Sequence, residues 1–518
     1  MKKLVCIIEK LIIVCFVIMY SLILLNNVVF QHLDYYIKRE FILPNIILVL
    51  LTILLFYGAC KWYIKKKQKV ERLLLNGDKI ILIGTILLFL YQLFLSTNIY
   101  FMTGWDSGIL TSNADAVANG RVDEYFNWYY SRCPNNSLLT AIYAVIFWTA
   151  EHIGIPSVAV RLLIVFGQCA ISSWTGYLLY QCAKKMFPEK IAPLIVWGLY
   201  VLVQGISPWV IIPYSDASCL FIPVLLLWIY QSMENGRFVV GKAASLGILA
   251  YLGYEMKPMV IIVLLAILGI EFLENLKQKF SWKKWKVFVV ICASLVCTVG
   301  VCSLIDLNEI MGFEITEGQE FGMTHYLMMG LGDERDGAFN QKDVEFSEKY
   351  DTNAQRNRAN LVEAGERIKN YGFVGLVKHT VKKSLVNFND GTFAWGNEGA
   401  FYGILFPIPN NPITNFMRSF YFGNASNGWW FDNISQLFWI VTLVGVVGNV
   451  ALFGQSKEDF DKYSLVTYTA MIGIGMFVTL FESRARYLYT FIPFFVMMAV
   501  KGYCQWYQWN RKRKRSRK

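Results

Sequence analysis

Apolar runs of about 20 residues, the length a helix needs to cross a hydrocarbon core, recur along most of this chain and are separated by short polar stretches. Such segments leave no room for a conventional water-soluble fold. Backbone N–H and C=O groups inside lipid must find their partners within the segment, so the runs are expected as helices of a membrane bundle. Only 17% of the 518 residues are charged, against about 25% in an average soluble protein. The first run, roughly Leu4 to Phe30, is too long for a signal-peptide core and lacks a small-residue cleavage site, so it reads as a retained span.

The net charge of +12 sits largely in clusters beside the apolar runs, which points to membrane topology and away from nucleic acid. With Lys2 and Lys3 in the cytoplasm, the clusters at Lys61 to Lys79, Lys184 to Lys190, Arg237 to Lys242, Lys277 to Lys286, Lys457 to Lys462 and Arg511 to Lys518 all fall on the cytoplasmic side. This holds if the apolar segment 137–153, which carries Glu151 and His152, lies at the outer interface instead of crossing. The expected spans are then 4–30, 42–62, 79–100, 158–181, 191–212, 217–233, 241–256, 258–274, 286–304, 434–454, 463–481 and 486–503, about twelve with both termini inside. The fold class is an all-α polytopic membrane protein with an interfacial helix and an extracytoplasmic α-rich insert. Its parts are a membrane module over 1–304, including a first long outer loop at 101–136, the insert at 305–432, and closing helices with a basic tail at 433–518. A polar helix is expected over 353–370, and turns around Asn389, Gly391, Pro407 and Pro412. No internal repeat relates the two halves, which disfavours a duplicated transporter. The 11 cysteines lie mainly inside apolar runs without CxxC spacing, as small packing residues do.

Chemistry-bearing residues gather in the expected outer loops. The first reads Gly104-Trp105-Asp106-Ser107-Gly108, then Asn113-Ala114-Asp115. A carboxylate at the mouth of a membrane cavity can take the proton of an attacking hydroxyl, and Asp106 is the preferred base; an Asp here can equally cap a short helix, as can Asp115. Pro213-Tyr214-Ser215-Asp216 places a second acid at the same surface, with helix capping again the alternative. Lys257 lies between two apolar runs, where it can bind phosphate or snorkel to the interface. Glu482-Ser483-Arg484-Ala485-Arg486-Tyr487 puts two arginines where positive-inside bias disfavours them. A phosphate or diphosphate group matches their bidentate donors, with Glu482 orienting a guanidinium, unless the three form a purely structural network. His325 stands early in the insert without metal-ligand spacing around it. There is no Walker loop, dinucleotide fingerprint or nucleophile elbow.

In order and placement these residues resemble the GT-C glycosyltransferases, the polytopic enzymes that use lipid-phosphate-linked sugars, and within them the protein O-mannosyltransferase-like and bacterial lipid-phosphate-sugar-dependent group. The resemblance rests on Trp105-Asp106, the 137–153 helix running into Val160-Arg161-Leu162, Pro213-Tyr214-Ser215-Asp216, Lys257-Pro258 and Arg484-Ala485-Arg486-Tyr487. It implies a polyprenyl-phosphate-sugar donor entering from the bilayer, an extracytoplasmic glycan or protein acceptor, and inversion at the anomeric carbon. Asp106 would be the base, Lys257, Arg484 and Arg486 would hold the donor phosphate with Glu482, and Asp216 would position hydroxyls. Trp105, Asp115, Tyr214, His325 and Tyr487 are the remaining candidates for substrate contact. Ser107 follows Asp106 where several relatives carry a second acid, so the resemblance implies no firm divalent-metal requirement and no other cofactor. A transporter of lipid-linked saccharides and a non-catalytic scaffold displaying the insert are the competing functions.

Overall fold

The computed structural model describes residues 1–30, 42–234, 238–277, 281–395, 410–422, 426–454 and 460–515. The apolar runs fold as helices, which close their own backbone hydrogen bonds. The chain opens with α1 (Lys2–Val29), α2 (Asn45–Leu74) and α3 (Gly77–Ile99). Three shorter helices follow, α4 (Asp106–Ala118), α5 (Glu124–Arg132) and α6 (Ser137–His152). The bundle resumes with α7 (Ser157–Met186), α8 (Ala192–Tyr200), α9 (Ser215–Ser218), α10 (Phe221–Ser232), α11 (Val239–Met256), α12 (Ile261–Leu276) and α13 (Trp282–Cys302). The insert supplies α14 (Leu307–Ile310), α15 (Met323–Gly330), α16 (Gln341–Glu348), α17 (Asn353–Phe388) and α18 (Pro412–Tyr421). The closing helices are α19 (Gly428–Val447), α20 (Lys462–Leu480) and α21 (Ile492–Arg515). Among the described residues there is no strand.

Ten helices among the described residues are long and apolar enough to cross a membrane. The two other expected spans are also helical. One is interrupted: α8 passes into a π-helix at Val201–Gly205, and Pro208, which cannot continue a helical ladder, opens a separate turn at Pro208–Ile211. The other is α11, with Lys242 and Glu255 near its two ends. The 16 residues of α6 span about 24 Å at 1.5 Å per residue, short of a hydrocarbon core of about 30 Å. α6 packs against α4 and α7 and is not among the ten.

Helix α21 forms the axis of the bundle. Its residues Ile492 to Val500 are all buried, and α7, α8, α19 and α20 surround it. By contrast α2 and α13 turn side chains such as Leu54 and Val296 outward, as lipid-facing helices do. The polar helix expected over 353–370 is the first half of α17, which kinks at Gly372 and then enters the bundle. There Asn27 Nδ2 donates to the Phe388 carbonyl at 2.8 Å, and Asn387 Nδ2 donates to that of Val478 at 2.9 Å. Pro412 opens α18 behind an Asn411 cap, whereas Pro407 lies outside the described residues.

Candidate functional site

Helix α4 begins where α3 ends, so its first residue stands at the mouth of the bundle. Trp105 is the extended residue before the helix and makes no capping bond with its side chain, which leaves Asp106 in the first turn, where the helix dipole favours a carboxylate. The turn closes tightly because Gly108 N–H donates to Thr103 Oγ1 at 2.9 Å and a side chain at 108 would strike the Thr103 carbonyl. Ser107 is buried and donates to the Pro213 carbonyl at 3.3 Å, tying this turn to the segment that carries Tyr214.

Both Asp106 oxygens accept phenol hydrogen bonds. Tyr129 donates to Oδ1 at 2.9 Å and Tyr214 to Oδ2 at 3.2 Å, and Asn136 Nδ2 in turn donates to Tyr129 Oη at 2.8 Å. Burial, then the charge of Asp106, pushes both phenols well above the usual tyrosine range, so both stay protonated donors. Each carboxylate oxygen keeps a second lone pair for a substrate hydroxyl. On the other side of Tyr214 lies Arg486. Its guanidinium is 4.4 Å from the Trp105 ring centroid, 5.3 Å from Tyr214 and 5.6 Å from Tyr487. Such stacking holds a partly desolvated cation in a fixed plane.

Tyr487 links this group to the remaining candidates. Its hydroxyl donates to Glu482 Oε2 at 2.7 Å, Glu482 Oε1 lies 3.6 Å from Arg484 Nε, and Lys257 Nζ sits 5.6 Å from the Tyr487 ring centroid. Lys257 forms a buried ion pair with Asp216, and Thr490 Oγ1 donates to the Asp216 carbonyl at 3.0 Å. Asp216 therefore does not cap its helix. Its Oδ2 is buried and meets no hydrogen-bond partner among the described residues.

The structure thus brings together Trp105, Asp106, Tyr214, Asp216, Lys257, Glu482, Arg484, Arg486 and Tyr487. Two candidates stand apart. Asp115 accepts from Ser157 Oγ at 2.9 Å and pairs with Arg161 at 3.4 Å, which fastens α4 to α7. His325 is buried inside the insert, bonded through Nδ1 to Ser347 Oγ at 2.7 Å and stacked on Phe321. Burial and the nearby Arg356 push its pKa down to about 4, a neutral packing histidine. Burial, with smaller contributions from Cys133, Glu482 and Asp106, pushes its neighbour Tyr326 well above the usual tyrosine range. Tyr129, Asn136 and Tyr326 were missed by the sequence reading; no spacing signal marks them.

Segment 481–484, which carries Glu482 and leads into the arginines, is clamped by the insert. Lys383 Nζ donates to the carbonyls of Gly330 at 2.6 Å and Phe481 at 2.7 Å. Ser483 N–H donates to the Gly337 carbonyl at 2.8 Å, and Arg484 N–H donates to Asn387 Oδ1 at 2.9 Å. Gly330 approaches so closely that a Cβ there would lie 2.5 Å from the Phe481 oxygen. Burial pulls the Lys383 pKa down to about 7, against the opposing pull of Glu482.

Ligand atoms of Asp333, Asp336 and His379 lie within 4.8 Å of one another, the spacing of a divalent-cation site. Two of those three groups are already engaged: His379 Nε2 is 2.9 Å from the Gly330 carbonyl, its Nδ1 is 3.2 Å from Tyr371 Oη, and Lys382 pairs with Asp336 at 3.0 Å. They fit a cation poorly.

A family model described as a conserved hypothetical integral membrane protein matches residues 2–505. The chain belongs to that family. It is accordingly a multi-pass membrane protein, in keeping with the ten long apolar helices among its described residues. Among curated proteins none is significantly similar to this member of the family. Two crystal structures of ArnT from Cupriavidus metallidurans, one in the apo state and one bound to undecaprenyl phosphate, are similar to it at 12% identity and a TM-score of 0.31, over 82% of this chain and 77% of ArnT. A likeness that low carries neither fold nor activity across.

Proposed function

We propose that this family member is a GT-C-type glycosyltransferase that moves a sugar from a polyprenyl-phosphate donor to an extracytoplasmic acceptor. The observation that carries the reading is the packing of the Arg486 guanidinium on Trp105, next to Asp106. A base and a fixed cation then lie side by side at the mouth of a membrane bundle, the two groups that hydroxyl attack on a lipid-phosphate sugar requires.

In this mechanism the acceptor hydroxyl gives its proton to Asp106 as its oxygen attacks the anomeric carbon. The bond from that carbon to the phosphate oxygen breaks, polyprenyl phosphate leaves with the electron pair, and the configuration inverts. Arg486 and Arg484 balance the phosphate charge, Glu482 holds Tyr487 and Arg484 in place, and Tyr129 and Tyr214 aim the carboxylate. Lys257 contributes through its pair with Asp216, which fixes the floor beneath Tyr487. The active site faces the extracytoplasmic side, with both termini in the cytoplasm, following the lysine and arginine clusters.

The test is incubation of the purified protein in nanodiscs with a panel of polyprenyl-phosphate sugars, following release of polyprenyl phosphate with and without glycan or protein acceptors. Acceptor-dependent release from the wild type, lost in Asp106→Asn, supports transfer. Release from no donor in the panel, or the same release from both proteins, rejects it.

A further inference from the structure

Helix α18 is amphipathic, with Ile413 and Phe416 exposed and Thr414 and Tyr421 buried. Thr414 Oγ1 donates to Asn98 Oδ1 at 2.8 Å, and Tyr421 pairs with the Tyr91 hydroxyl, so the buried face of α18 lies along the end of α3 that leads to Asp106. Residues 414, 418 and 421 share one helical face. Arg418 therefore points between those two contacts. Its Nε and Nη2 are buried and meet no hydrogen-bond acceptor among the described residues. Arg418 is half-buried; a guanidinium does not shed its proton in a protein, and two of its donors shut off from solvent are costly to leave without an acceptor.

The surroundings indicate what the counter-ion is. Ile413 and Phe416 on one side and the exposed, stacked pair Trp429 and Trp430 nearby in the chain form the apolar and aromatic margin of a membrane interface, the level at which lipid phosphates lie. A phosphate ester presents the oxygen pair that the open edge of a guanidinium, Nε with Nη2, receives in parallel. We propose that Arg418 binds the phosphate of a membrane lipid, seated against α18 and α3 and separate from the cluster around Asp106 and Arg486. This site stands or falls without reference to sugar transfer.

The full-length protein is titrated by native mass spectrometry with phosphatidylglycerol, undecaprenyl phosphate and a phosphate-free diglucosyl diacylglycerol. The wild type is expected to retain one more phosphate-bearing lipid than Arg418→Gln, with affinity for it falling about tenfold or more in the variant, the loss of a charge-assisted pair. Arg418→Lys keeps part of the binding, and the glucolipid is retained weakly and equally by all three. Retention of both phosphate lipids means a bulk-lipid seat, and retention of undecaprenyl phosphate alone means a carrier-specific one; either supports the site. Equal retention of phosphate lipids by wild type and Arg418→Gln overturns it. If Arg418→Gln does not fold, Arg418→Lys decides: one phosphate lipid held more weakly than by the wild type supports the proposal, and retention equal to that of the wild type overturns it.

Discussion

The Tyr214 hydroxyl donates to Oδ2 of Asp106 across 3.2 Å, joining residues 108 positions apart in the chain. With Tyr129 on the other oxygen, the carboxylate is aimed by two phenols at the tip of a helix. Asp106→Asn keeps the bulk and removes the proposed base. Acceptor-dependent turnover is expected to fall about 10²- to 10⁴-fold, while donor affinity, measured by direct titration, stays near the wild-type value. Unchanged turnover would remove Asp106 from its assigned role.

Arg486 is held by ring faces, not only by charge. Arg486→Lys keeps the charge but loses the planar stack on Trp105 and Tyr214, so donor affinity should weaken about tenfold. Trp105→Leu should weaken it in the same direction. Steady-state kinetics over a donor series reads both effects, and a lysine variant with wild-type KM contradicts the stacking argument.

The buried pair of Lys257 and Asp216 predicts non-additive stability. Lys257→Met leaves a buried carboxylate alone and should destabilise by about 3–5 kcal/mol, whereas adding Asp216→Asn should recover a substantial part. Thermal unfolding midpoints of the single and double variants in one detergent test this. A double variant worse than the sum of the singles refutes it.

Lys383 predicts a pH dependence. An ordinary lysine titrates near 10.4, and in the fold this one titrates at about 7. Between those values the unfolded chain holds a proton that the folded chain lacks, so stability should rise with pH, at up to about 1.4 kcal/mol per unit for one proton. The neutral amine has two N–H groups for the carbonyls of Gly330 and Phe481. His325, lowered to about 4, has the same sign in a lower window, where stability falls as pH drops below about 6.5. Unfolding midpoints from pH 7 to 10 should climb in the wild type and flatten in Lys383→Met; matching slopes would contradict the assignment.

The bundle could be read from the chain because hydrophobic length is a direct physical demand of lipid. Where the reading faltered, the cause was local. The run at 191–212 has the right composition, but its helix breaks at a π-turn before Pro208, which hydropathy does not register. The acids and arginines of the site were visible because charge beside an apolar run needs a reason. Asp115 and His325 carried the same kind of signal and serve packing instead, since composition does not tell which way a side chain turns. Lys383 was invisible for the opposite reason: beside Lys378 and Lys382 it looks like part of a solvated face, and its partners are backbone carbonyls.

The contact of Gly330 with the Phe481 carbonyl leaves no space for even a methyl group. The insert is thereby locked against the segment that carries the candidate site and is not an appendage hung above it. Exchanging it for the insert of another protein, or lengthening that joint by one carbon, shifts the strand of chain from which Glu482 and both guanidinium groups are suspended. Grafts of the insert must therefore carry residues 330, 337, 383 and 387 across intact.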